Sequence, residues 1–177
     1  MQCTYTNSTP NQSSRQLQRE AWLSLIQQHE WELFVSLTFE RDEVPAALAR
    51  QRFDKWMGTL NCDLFGWRYR RKGKGIKYAL GIEYQKRGVI HFHVLMSAPG
   101  LLEKISYTRM HNLWITNGQR NPETGAFVTE LRNGRERPRL VNGYSWIQRV
   151  NQQNGACYYL TKYIAKGGQI DLWLPRS

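Results

Sequence analysis

The 177-residue chain carries 25 Lys and Arg against 14 Asp and Glu, a net charge of +11, and 12% of it is aromatic with seven Trp. That aromatic content excludes a disordered chain, the length fits one domain with a single substantial core, and the cationic balance points to a polyanionic partner, above all nucleic acid. Cys3, Cys62 and Cys157 show no paired spacing, which argues for a reducing, cytoplasmic setting and against a disulfide framework or a cysteine-based zinc site. No apolar run approaches the roughly 18–20 residues of a membrane span, so no membrane is expected, and the polar start from Met1 to Gln16 lacks the apolar centre of a signal peptide.

In chain order, residues 1–13 are polar and read as a flexible tail ahead of one domain over 14–177. A helix is expected from Ser14 to about His29, with Leu17, Ala21, Leu25 and Trp22 on its inner face. Leu33 to Phe39 alternates as a strand with one buried face. Pro45 opens a second helix, in which Ala49, Phe53, Trp56, Met57 and Leu60 repeat at helical spacing to about Leu60. Residues 68–77 hold six cations, Arg68, Arg70, Arg71, Lys72, Lys74 and Lys77, around Gly73 and Gly75. With Trp67, Tyr69 and Tyr78 alongside, this segment reads as a basic loop or hairpin that grips phosphate and stacks bases, and Arg87 is counted with it.

Residues 81–96 read as two strands and a tight turn. Alternate side chains of a strand share a face, so His91 and His93 point the same way, about 6–7 Å apart at their bases, as two ligands of one metal ion would. Glu83 joins them only if the turn has the right length. A three-residue loop, Lys86 to Gly88 with Gly88 left-handed, pairs Gln85 with Val89 and sets Glu83 opposite His91; a four-residue loop puts Glu83 on the wrong face. The glycine at the third position favours the first arrangement. Two nitrogens and an oxygen suit Mn²⁺ or Mg²⁺ as well as Zn²⁺.

Further on, a helix is expected over about Ser106–Thr116, ended by Asn117-Gly118, with Tyr107, Met110, Leu113 and Trp114 inward and His111 as an ordinary helix residue. Turns and a short hairpin around Phe127-Val128 and Leu140-Val141 follow, then a strand over Tyr144–Val150. Residues 155–168 form a helix stopped by Gly167-Gly168. At about 100° per residue, Tyr159, Lys162, Tyr163 and Lys166 share one arc read as exposed, Cys157, Leu160 and Ile164 a neighbouring apolar arc for the sheet, and Tyr158 points elsewhere. A phenol needs a nearby cation or metal to act as a nucleophile, and Lys162 and Lys166 supply the charge or hold the target phosphate.

These motifs together resemble the HUH endonucleases, and within them the rolling-circle replication initiators (Rep). His91-Phe92-His93 is similar to the family's His-hydrophobic-His strand, Val35-Ser-Leu-Thr-Phe39 to its first motif, and Tyr159-Leu-Thr-Lys162 and Tyr163-Ile-Ala-Lys166 to its Tyr-x-x-Lys motif, doubled as in initiators of isometric single-stranded DNA phages. The resemblance covers about residues 33–166. It implies an α+β single domain with a central antiparallel sheet of four or five strands (a ferredoxin/RRM-like nuclease fold), the His strand central and helices flanking. It also implies an activity: a divalent ion on Glu83, His91 and His93, attack by Tyr159 on single-stranded DNA at a replication origin, a 5′-phosphotyrosyl link with a free 3′-OH, a second transfer to Tyr163, and a host helicase as partner. Small single-domain transposases of the same superfamily keep this motif order but usually carry Gln after Tyr. A non-catalytic RRM-like nucleic-acid-binding module and a water-using metal phosphodiesterase are the readings from other classes.

Overall fold

The computed structural model describes residues 12–40, 44–84, 88–165 and 168–175. The expected tail therefore lies almost wholly outside the described residues. The chain folds as α1 (Gln12–Gln27), β1 (Leu33–Leu37), α2 (Ala46–Phe65), β2 (Lys77–Tyr84), β3 (Ile90–Ser97), α3 (Leu101–Lys104), α4 (Tyr107–Ile115), β4 (Thr129–Arg132), β5 (Arg135–Pro138), β6 (Ser145–Arg149), α5 (Gln153–Ala165) and β7 (Gln169–Trp173). Five strands pair in the order β6-β1-β3-β2-β7, every neighbour antiparallel, so the His strand β3 is central as expected.

Both faces of this sheet are covered, which is why its strands are apolar nearly throughout rather than alternating. Leu33, Val35 and Leu37 of β1 and Phe92, Val94 and Met96 of β3 pack under Phe53, Trp56 and Leu60 of α2 and Met110, Leu113 and Trp114 of α4. On the opposite face, Phe34, Ala79 and Leu95 pack under Ile26 of α1 and Cys157 and Leu160 of α5. The expectation of one buried face on β1 is thus corrected: Phe34 is buried as well. The inner face of α1 also differs from expectation. Leu17 and Leu25 are exposed, and Ile26 with Trp22 and Leu23 faces the core, because the helix packs toward Trp31 and α5. Tyr107 likewise lies outside the buried face of α4.

Three elements differ from the sequence reading. The hairpin of residues 117–143 is β4–β5, closed by Asn133-Gly134 with φ of 53° and 70°, the backbone of a type I′ turn. A short α3 follows Pro99-Gly100, and β7 adds a fifth strand after α5. The chain enters β6 through Gly143, whose N–H donates to the Thr38 carbonyl at 3.0 Å. A Cβ there would lie 2.8 Å from the carbonyl carbons of Thr38 and Phe39, backbone atoms that cannot rotate away. Gly143→Ala is expected to cost roughly 1–3 kcal/mol, a fall in Tm of several degrees in a thermal melt.

Candidate active site

The site begins with sheet register. Glu83 pairs with His91, Gly81 with His93, and Ser36 of β1 with His93 from the other side. Glu83 therefore shares a face with both histidines, the arrangement tied above to a short turn. Gly88 has the expected left-handed φ of 77°. The proposed Gln85–Val89 pair and Arg87 lie outside the described residues.

His93 is nearly buried and bonded at both ring nitrogens, Nδ1 to Ser36 Oγ and Nε2 to Glu83 Oε2, each at 3.1 Å. Burial holds His93 below its usual pKa, against the opposing pull of the Glu83 bond, and burial lowers His91 too. Both imidazoles are therefore neutral at pH 7, the form in which histidine ligates a metal. The set fits Mn²⁺ or Mg²⁺ in kind, two nitrogens and a carboxylate, and partly in spacing: neighbouring ligands of an octahedral Mg²⁺ stand about 2.9 Å apart, close to the His93–Glu83 separation. Among the described residues no three His, Cys, Asp or Glu side chains are already gathered into a cation cage. Ser36, which the sequence reading placed only within a motif, has the position of an outer partner that orients a ligating imidazole.

The helix α5 lies over this face. Its apolar arc falls as expected, with Cys157, Leu160 and Ile164 buried. Gly81 lets it come close: a Cβ at that position would sit 2.9 Å from a Leu160 methyl. One turn later the Tyr163 ring stacks on His93, centroids 4.4 Å apart and planes 3° from parallel. Tyr159 meets His93 edge-on at 5.7 Å and Tyr163 at 5.6 Å, with Phe34 against its other side at 5.4 Å. The shared exposed stripe is thereby corrected. Tyr163 is 2% exposed and Tyr159 40% exposed, so only Tyr159 meets solvent. Burial, with a hydrogen bond to Tyr159, holds the Tyr163 phenol well above its ordinary pKa. Lys162 Nζ sits 3.3 Å above the Tyr159 ring centroid and 5.0 Å from that of Tyr163. Tyr158 points away, beneath Arg19 of α1, and Lys166 lies outside the described residues.

The sequence model of the replication-associated protein ORF2 family matches residues 32–168, the segment from β1 through α5 that builds this site. The chain belongs to that family. No curated protein and no solved structure matches the chain. A member of this family is a Rep-type replication protein, with DNA as its partner. Among the described residues of this one, no helix is long and apolar enough to cross a membrane.

The replication protein's basic cluster stands apart from the histidines. Lys77 begins β2 and Glu83 lies six residues along it, so Arg68, Arg70, Arg71, Lys72 and Lys74 flank the end of the strand about 20 Å from the Glu83–His91 row. Tyr69 and Tyr78, expected as base-stacking neighbours, are buried, and Arg70 is bonded to the Tyr69 hydroxyl at 3.0 Å. Trp67 remains exposed there, with Arg68 over its ring at 4.3 Å.

Proposed function

We propose that this protein is an HUH-type endonuclease and strand transferase that nicks single-stranded DNA through a 5′-phosphotyrosine to initiate rolling-circle replication. One observation carries the reading: two tyrosine rings from one helix touch His93, which is itself bonded to Glu83, so candidate nucleophiles and candidate cation ligands occupy one patch. Glu83, His91 and His93 would hold Mn²⁺ or Mg²⁺, whose chemistry there is Lewis-acid polarisation of the scissile phosphate. Tyr159 contributes the attacking oxygen. Its phenol oxygen forms the new P–O bond as the bond to the 3′ oxygen breaks, and that oxygen leaves as a 3′-OH after taking up a proton. Lys162 holds positive charge over the Tyr159 ring, where it favours a developing phenolate. Because one phosphodiester replaces another of similar energy, joining is as accessible as cutting, and Tyr163 is the acceptor for a second transfer.

The non-catalytic RRM-like reading fares worse. An RRM stacks bases on an open sheet face, whereas here α1 and α5 cover that face and bury His93 and Tyr163. A water-using phosphodiesterase gives no reason for two tyrosines against the histidine. The single-domain transposase would share the chemistry, and family membership favours replication. Unwinding is expected of a host helicase.

The test uses random-sequence single-stranded oligonucleotides, incubated with the protein and Mn²⁺ and then boiled in detergent. A slower-migrating protein–DNA species is the expected result, and sequencing of the retained DNA gives the recognition site. Its absence with both Mn²⁺ and Mg²⁺ would sink the reading. Affinity is also expected to fall with salt. If the 68–77 cluster and Arg132, Arg135, Arg137 and Arg139 contact about four to six phosphates, the log–log slope should be roughly −3 to −4, and a slope near zero would mean these cations are merely solvated.

A further inference from the structure

Resting on the nicking reading above, we propose that Tyr144 and Trp146, with the cavity beside Tyr159, form a base-stacking ledge that receives the single-stranded DNA next to the scissile phosphate. The registers place one straight row across the sheet, Trp146–Ser36–His93–Gly81. One step along the same registers come Tyr144, Thr38 and His91, with Glu83 paired to His91, and the Thr38 N–H donates to the Tyr144 carbonyl at 2.9 Å. Each row thus starts at an aromatic residue on the edge strand and ends among the candidate cation ligands, about 10 Å away for two strand spacings. Tyr144 is 63% and Trp146 61% exposed, although large aromatics are costly to leave in water.

A cavity of about 510 Å³ opens between β6 and the start of α5, with Trp146, Phe34 and Tyr159 in its walls. Its size is that of a small-ligand site. The group read as the nucleophile is part of the wall, so whatever fills the cavity adjoins the bond that Tyr159 would attack. Gln148, Asn151 and Gln152 line it with amide donors and acceptors suited to base edges, and Arg149 adds a cation. Tyr144 borders a second cavity, of about 570 Å³, which also takes in Arg132 and Arg137 of the β4–β5 hairpin. Arg132 is paired with Glu130 and Glu40, which leaves Arg137 and Arg149 as the natural phosphate contacts. Flat aromatic faces alternating with cations, on a chain of net charge +11, match a single strand with its bases turned inward.

The experiment measures binding of fluorescently labelled (dT)20 in metal-free buffer at fixed salt, so that no cleavage enters the result. Trp146→Ala is expected to weaken binding about 5-fold to 100-fold, Trp146→Phe to restore most of it, and Tyr144→Ala to weaken it further in the double variant. Tyr158→Ala, an exposed aromatic on the far side of α5, is expected to stay within about two-fold of wild type. Binding by Trp146→Ala within two-fold of wild type overturns the ledge, as does an equal loss in Tyr158→Ala. Wild-type protein that forms the covalent adduct while Trp146→Ala binds normally removes the ledge and keeps the nicking reading. Weakened binding by Trp146→Ala in a protein that forms no adduct does the reverse, leaving a single-strand binding ledge without the chemistry.

Discussion

Tyr159→Phe is expected to remove the covalent protein–DNA adduct altogether, because phenylalanine keeps the ring contacts with Phe34 and His93 and loses only the attacking oxygen. The structure gives this choice of residue a firmer basis than sequence spacing could. Each tyrosine is followed three residues later by a lysine, so the motif alone does not separate them. Access does: Tyr159 borders the cavity against β6, whereas Tyr163 lies flat on His93 with 2% of its surface exposed. Tyr163→Phe keeps that stack, should fold normally and should spare first cleavage while impairing a second transfer. Tyr158→Phe should change neither step. Peptide mapping by mass spectrometry decides: an adduct on Tyr163 in unmutated protein would reverse the order of the tyrosines, and one on neither residue would end the mechanism.

The second large effect is expected at the histidines. Loss of one ligand from a three-donor set should lower nicking by about three orders of magnitude, roughly 4 kcal/mol of transition-state stabilisation. His91→Ala and His93→Ala should both do this while leaving single-strand affinity nearly unchanged, since the cations that would hold phosphate lie elsewhere. His91 is the cleaner position. His93 is packed between Phe34 and Tyr163, so its truncation opens a void and costs stability as well, whereas His91 is only half-buried. Chelation of divalent ions should abolish nicking by wild-type protein and Mn²⁺ should restore it. A His91→Ala protein that loses folding and binding in parallel would point to a structural histidine.

Much of this site could be read before any coordinates, because two of its relations are local. The facing of Glu83 and His91 follows from strand alternation and a short turn, and the burial of Leu160 and Ile164 follows from helical period. What escaped depended on partners distant in sequence. Helical angles place Tyr163 between the Tyr159 side and the apolar arc, and which way it falls depends on the surface beneath; Gly81 and His93 leave room for a flat ring there. In α1 two apolar stripes compete, and Ile26 faces inward only because Trp31 and α5 pack there. The strand Gln169–Trp173 is five residues of weak alternation whose hydrogen bonds come from β2, some ninety residues earlier. The distance between the basic cluster and the histidines is set by the direction of β2, which composition does not encode.

That last strand has a mechanical meaning. The tyrosine helix leaves β6 at one border of the sheet and runs into β7 at the other, and its first turn is tied to Trp31 by two Gln153 hydrogen bonds of 3.0 and 2.6 Å. It is a crossbeam fixed at both ends. A DNA strand covalently joined to Tyr159 pulls on the middle of that beam, so tension on the DNA is shared between two hydrogen-bonded borders instead of levering the helix off from a free end. Exchange between the two tyrosines would then come from rotation of side chains on a stationary helix.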